Sequence, residues 1–136
     1  MEIYLRERIL RYTYYRLQGF MKIERELMRG LGPTAVLKLL EPGERYGYEL
    51  VERLERQSDG VLKMGQSTLY PLLYNLEAKG WIKSRIDQTG PRPRRYYRLT
   101  GKGKRQLARQ ASQWDAATRG LTAMGILGPA AAGGDA

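Results

Sequence analysis

Residues 66–100 have the sequence QSTLYPLLYNLEAKGWIKSRIDQTGPRPRRYYRLT, which predicts a helix followed by a β-hairpin. Four leucines recur at helical spacing over residues 66–79, and Gly80 is placed to end that helix. Residues 81–87 and 94–100 then alternate as two short strands around a tip at residues 88–93. The predicted core residues of the strands are Trp81, Ile82, Ile86, Tyr97 and Leu99.

Two shorter helices are predicted before this stretch. Gly30–Pro33 interrupts the chain, Thr34 can cap a helix over residues 35–40, and Pro42-Gly43 ends it. A second helix is predicted over residues 48–56. Three short helices followed by a hairpin have the order of a winged helix-turn-helix, so we predict a mainly α protein with this domain over residues 30–100.

The flanking segments predict two further helices and a tail. Residues 1–29 predict an N-terminal helix or extension, Thr100 can cap a long helix over residues 101–127, and residues 128–136 predict a disordered tail. A domain this small has little core left for a helix of that length, so we predict that a second copy of the chain receives it. The predicted dimer contacts are Leu107, Ala111, Trp114, Leu121 and Met124.

The charge of the chain is concentrated on the predicted hairpin. The 136 residues carry a net charge of +10, and residues 79–105 contain ten Lys or Arg residues against one acid, Asp87. This concentration predicts a partner with a phosphate backbone, with a solvated basic loop as the alternative. The chain has no Cys and no His, which removes the commonest nucleophile–base pairs and metal ligands. We therefore predict a protein that is not an enzyme and needs no metal or cofactor.

The third helix and the hairpin supply the predicted DNA contacts. With the leucines turned inward, two tyrosines and a proline lie on the outer face, where a helix in the major groove would meet bases and phosphates. If Ser67 is the N-cap, Pro71 sits at the edge of the first turn. The alternative is that Tyr70 and Tyr74 pack against the wing or a neighbouring helix. The predicted contacts are Gln66, Ser67, Tyr70, Pro71, Tyr74, Lys83, Arg92, Arg94 and Arg95.

Four motifs give the chain a resemblance to the PadR family of bacterial transcriptional regulators. They are YGYEL at 46–50, STLYPLL at 67–73, LEAKG at 76–80 and PRPRRYYRLT at 91–100. The resemblance implies a homodimer joined by the C-terminal helix that represses transcription and is released by a small ligand. Two recognition helices in successive major grooves then predict a pseudo-palindromic operator. The resemblance also implies that Trp114 stacks a planar aromatic effector across the dimer, while the alternative is that Trp114 only fills the interface.

Two other classes of function stay open at this point. One is a protein-interaction adaptor that keeps the winged fold without binding an operator. The other is a membrane-surface protein that uses the Tyr/Arg-rich N-terminal helix. The sequence has no apolar run of about 20 residues and no signal-peptide pattern, so we expect a cytoplasmic protein without a membrane span.

Overall fold

The leucine-rich helix and the hairpin lie where the sequence predicts them. The structure, a computed structural model, describes residues 23–128, so most of the predicted N-terminal helix and nearly all of the predicted tail lie outside the described residues. The elements in chain order are α1 (Arg25–Leu39), β1 (Arg45–Tyr46), α2 (Gly47–Gln57), α3 (Gln66–Ala78), β2 (Ile82–Asp87), β3 (Arg94–Leu99) and α4 (Gly101–Ala123).

The strands form a small antiparallel sheet in the order β1-β3-β2. The wing is the hairpin of β2 and β3, which pairs from Ile82 opposite Leu99 to Asp87 opposite Arg94. The short strand β1, which the sequence analysis did not predict, pairs with the other edge of β3. It therefore ties the start of α2 directly to the wing.

One apolar core joins the first three helices to the inner face of the sheet. Three of the four leucines of α3 are almost wholly buried and Leu72 is partly buried, while Val36 and Leu37 of α1 and Leu50 of α2 are also buried. Burying one such side chain stabilises a fold by roughly 1.5–3 kcal/mol. The order of helices and wing, and the core between them, confirm the predicted winged helix-turn-helix.

The predicted interruption at Gly30–Pro33 is wrong, because α1 runs through it from Arg25 to Leu39 with Pro33 inside the helix. Gly32 packs closely inside the fold instead, because a Cβ there would lie 3.2 Å from Cε of Met64. A Cβ on Gly30 would lie at an ordinary contact distance, 3.5 Å, from the ring of Trp114. Thr34 therefore caps no helix, and α1 crosses the position where the sequence placed the start of the domain.

The start of α3 also differs from the prediction. Its N-cap is Gly65, so Ser67 is the second helical residue and Pro71 lies in the helix interior. Pro71 has no N–H, so the carbonyl of Ser67 loses its usual partner within the helix. The predicted end of this helix is confirmed, because Gly80 follows the C-cap Lys79 with a positive φ of 76°.

The exposure of Ile86 and the end of α4 differ from the prediction, whereas the start of α4 agrees with it. Ile86 was predicted to be a core residue, but it is 50% exposed because it pairs with Arg95 far along the hairpin from the helices. The predicted Thr100 cap is confirmed, since its Oγ1 accepts a hydrogen bond of 3.0 Å from the amide of Gly103. Helix α4 ends at Ala123, four residues before the predicted end.

Candidate nucleic-acid interface

Helix α3 buries one face and leaves the other open. Leu69, Leu73 and Leu76 are at most 2% exposed, whereas Tyr70 and Tyr74 are 44% and 75% exposed. The leucine spacing thus turns the tyrosines outward. All nine residues predicted to contact DNA are exposed: Gln66, Ser67, Tyr70, Pro71, Tyr74, Lys83, Arg92, Arg94 and Arg95.

The Tyr70 side chain is held against the start of α2. A Cβ added to Gly47 would lie 2.5 Å from the Tyr70 hydroxyl oxygen and 2.9 Å from its ring, so only glycine leaves room for the phenol. Tyr70 therefore packs against a neighbouring helix and is still partly exposed. Tyr74 has most of its surface exposed. Packing against α2 thus fixes the Tyr70 phenol, whereas the Tyr74 phenol extends into solvent.

The two faces of the wing carry different cations. Side chains alternate across a strand, and directly paired residues share a face. Tyr97 and Leu99 face the core, so Arg95 lies on the face toward the helices, and Arg94 lies on the outer face with Tyr96. The tip residues predicted to grip DNA together are therefore divided between the two sides of the hairpin.

On the face toward the helices, a chain of hydrogen bonds links α3 to Arg95. The Ser84 hydroxyl donates to Oε2 of Glu77 at 2.7 Å, and the Ser84 amide donates to the same oxygen at 2.9 Å. Nη1 of Arg95 donates to the Ser84 hydroxyl at 3.1 Å. Glu77 and Ser84 were not predicted to have a role, because this diagonal contact depends on the strand register.

On the outer face, aromatic rings and cations form a second group. The Tyr46 ring stacks on Tyr48 at 6.5 Å and meets the edge of Tyr96 at 5.8 Å. The Arg94 guanidinium lies 4.7 Å from the Tyr46 ring centre, and that of Arg85 lies 5.1 Å from Tyr96. No role was predicted for the two tyrosines of YGYEL, because the strand β3, with which Tyr46 pairs, is remote in sequence.

Arg85 is the wing cation that an acid neutralises. Its Nε and Nη2 donate to the Glu44 carboxylate at 2.8–3.2 Å, and these hydrogen bonds hold the pKa of Glu44 below its ordinary value. Hydrogen bonds from the Thr89 hydroxyl and amide likewise lower the pKa of Asp87. They form a tight turn that shapes the wing tip.

The remaining cations of the wing are available to an anionic partner. Within residues 23–128, no carboxylate forms an ion pair with Lys83, Arg92, Arg94, Arg95 or Arg98. Between them, these exposed side chains lie on both faces and at the tip of the hairpin. The wing is therefore a positively charged projection beside the exposed face of α3.

The predicted dimer contacts of α4 fall into two groups. Leu107 is 7% exposed and belongs to the chain's own core, so it has little surface left for a partner. Trp114 is half-buried, and its Nε1 donates to the Thr34 hydroxyl at 3.1 Å. Ala111 is exposed, Leu121 is 38% exposed and Met124 is 76% exposed.

In the part of the chain that the structure describes, no group of three or more acidic side chains could hold a metal ion. No helix among residues 23–128 is both long enough and apolar enough to cross a membrane.

Comparison with known proteins gives a consistent result. The family model described as "Transcriptional regulator PadR-like family" matches residues 36–109. A transcriptional regulator from Clostridium thermocellum is 29% identical with a TM-score of 0.67, over 71% of this chain and 95% of that one. A PadR family transcriptional regulator from Eggerthella lenta is 36% identical with a TM-score of 0.64, over 73% and 85%.

A third similar structure contains a nucleic acid. It is PadR from Bacillus subtilis in complex with operator DNA, and it is 29% identical to this chain with a TM-score of 0.54. The match covers 57% of this chain and 44% of that one.

Proposed function

Because the chain belongs to the PadR-like family of transcriptional regulators, we propose that it is a cytoplasmic repressor that binds double-stranded DNA sequence-specifically. The observation that carries the proposal is the division of α3, whose core-facing leucines are buried while its tyrosines are exposed beside the wing. Within residues 23–128, the wing's cations other than Arg85 form no ion pair. A helix built this way offers hydrogen-bonding groups to a major groove, and the wing offers charge to the phosphates. The operator-bound Bacillus subtilis relative supports the same kind of partner.

Each part of the surface takes a separate role in this proposal. The first turn of α3, with Gln66 and Ser67, approaches base edges, and Tyr70 and Tyr74 bind bases or phosphates. Pro71 lies against the groove wall between the two phenols. Lys83, Arg92, Arg94 and Arg95 neutralise phosphates on both sides of the hairpin, because Arg94 and Arg95 lie on opposite faces.

In this proposal the DNA-binding unit is a homodimer of two copies of the chain. The exposed apolar residues in the second half of α4 need a cover, and a two-fold dimer supplies the same helix from the partner. The proposed contacts are Leu121 and the C-cap residue Met124, together with Ala111 and Trp114 near the middle of the helix. Two α3 helices then enter successive major grooves, so the operator is a pseudo-palindrome.

Release by a small molecule is the regulatory part of the proposal. Trp114 joins α4 to α1 through Thr34 and lies against Gly30. A planar aromatic effector that stacks on Trp114 would act at this junction between the dimer helix and the DNA-binding domain. Quenching of Trp114 fluorescence in a Trp81→Phe background, together with loss of DNA binding, is the observation that identifies such a compound.

The experiment that tests DNA binding uses duplexes selected from a random-sequence pool. We expect the selected sites to share a pseudo-palindrome, and we expect log affinity to fall with log salt by about 0.9 per phosphate contact. Removing Arg94 and Arg95 together (Arg94→Ala with Arg95→Ala) should lower that slope by about two contacts and weaken binding to all duplexes alike.

The matched control removes two cations from outside the proposed surface, Lys38→Ala with Arg56→Ala, and should leave the slope unchanged. If the wing variant kept the wild-type slope, the wing would not touch DNA. If the unmodified protein retained no duplex at about 100 mM salt, the proposed function would be wrong, and the alternative function of a protein-interaction adaptor with a winged fold would be favoured.

A further inference from the structure

The hydrogen bonds between Glu77, Ser84 and Arg95 have a direction that their chemistry fixes. A carboxylate can only accept, and a guanidinium can only donate. The one hydroxyl proton of Ser84 therefore points to Glu77, and a lone pair of the same oxygen receives Nη1 of Arg95. The negative charge of Glu77 strengthens this acceptor without forming an ion pair with the arginine.

The end of α3 thereby controls the position of a wing arginine. Glu77 belongs to α3, and it also fixes the backbone of Ser84 in β2 through the amide of that residue. Arg95 is exposed, and an exposed arginine without such a contact would sample many rotamers. Its contact through Nη1 leaves Nε and Nη2, the bidentate edge of the guanidinium, free for an anion.

Arg94 provides a comparison within the same strand. Its guanidinium lies over the Tyr46 ring on the other face of the wing, 4.7 Å from the ring centre. The ring attracts a cation but does not direct individual N–H groups as a hydroxyl acceptor does. The two adjacent arginines are thus held in different ways, and Ser84 contacts only the Arg95 guanidinium of the two.

We propose that Ser84 is a positioning residue for DNA binding, holding Arg95 beside α3 so that its free edge meets a backbone phosphate next to the groove that α3 enters. The proposal rests on the proposed function and deepens it by assigning a role to a residue that does not touch DNA. The arginine is ordered before DNA arrives, so less rotamer freedom is lost on binding.

The test is a double-mutant cycle measured as fluorescence anisotropy of a labelled mixed-sequence duplex at low salt. Ser84→Ala should weaken binding by about three- to tenfold, the range expected for ordering one long side chain. In an Arg95→Ala background it should cause no further loss, because the group that it positions is gone. In an Arg94→Ala background it should cause the full loss again. Ser84→Thr, which keeps the hydroxyl, should bind as the wild type does.

Several outcomes would overturn the assignment. They are an unchanged affinity for Ser84→Ala, an unchanged affinity for Arg95→Ala, or an equal loss in both arginine backgrounds. The last result would reveal a general structural effect, which the melting temperature of each variant would also report. If the wild type bound no duplex, the proposed function would fail together with this role, whereas binding without coupling would remove this role alone.

Discussion

Helix α3 and the second half of α4 share the spacing of apolar residues but differ in what covers them. Leu73 of α3 is 0% exposed within the chain's own core, whereas Leu121 of α4 and the C-cap residue Met124 are 38% and 76% exposed. Spacing of three and four residues specifies which face of a helix is apolar. It does not specify whether the same chain or another one covers that face. The comparison therefore separates what stabilises one copy from what we propose joins two copies.

The largest expected effect on stability comes from truncating a buried leucine side chain of α3. Leu73→Ala should lower the free energy of unfolding by about 2–5 kcal/mol at every protein concentration, because it leaves a cavity in the core. Met124→Ala should change the stability of one copy by less than about 0.5 kcal/mol and should raise the concentration at which dimers dissociate. Urea unfolding and light scattering over a concentration series measure both effects. Equal losses for the two variants would erase the distinction between the helices.

Glycines in the two halves of α4 allow a matched test of intermediate size. A Cβ on Gly103 would overlap the carbonyl oxygen of Trp81, so Gly103→Ala should destabilise the fold by about 1–3 kcal/mol. Gly120 has nothing within 4 Å of its Cβ position. There Gly120→Ala should stabilise the helix by up to about 1 kcal/mol, since alanine favours helices more than glycine. Thermal unfolding measures both, and a destabilised Gly120→Ala would show that another backbone packs closely against that position.

The smallest expected effect concerns the exposed face of α3. Gly47→Ala should displace Tyr70 and weaken binding to the selected duplex by about 1 kcal/mol, the net value of one hydrogen bond. In a Tyr70→Ala background the same change should have no added effect on affinity. Tyr74→Ala, in contrast, should add its full loss to that of Gly47→Ala. Titrations by anisotropy decide this, and an additive loss for Gly47 and Tyr70 would mean that the glycine does not hold the phenol.

Local patterns were sufficient to predict much of this fold. Leucine spacing gives the buried face of α3, Gly80 gives its end, and Thr100 gives the start of α4, because each signal acts within a few residues of chain. Gly32 contributed to the wrong prediction of an interruption. It lies inside α1 and packs closely against Cε of Met64, a residue 32 positions away in sequence. A glycine that permits close packing has the same letter as one that ends a helix.

The exposure of the residues predicted to contact DNA could be predicted from the sequence, but their arrangement could be predicted only in part. Strand alternation places Tyr97 and Leu99 inward, and extending it by two residues places Arg95 on that side. The contact between Arg95 and Ser84 needs the register of the hairpin, and the place of Tyr46 beside Arg94 needs the unexpected strand β1. These arrangements depend on the pairing of segments that are distant in sequence, which composition and periodicity do not predict.

The hydroxyl of Thr34 has a mechanical consequence. It donates to Oε1 of Gln110 at 2.6 Å and accepts from Nε1 of Trp114, so a single oxygen fastens α4 to α1 midway along its length. A helix of 23 residues is about 35 Å long, so a small change in its angle to α1 displaces its C-terminal end by a larger distance than its middle. The two hydrogen bonds of Thr34 therefore set the angle between α4 and α1, and with it the position of the C-terminal end of α4.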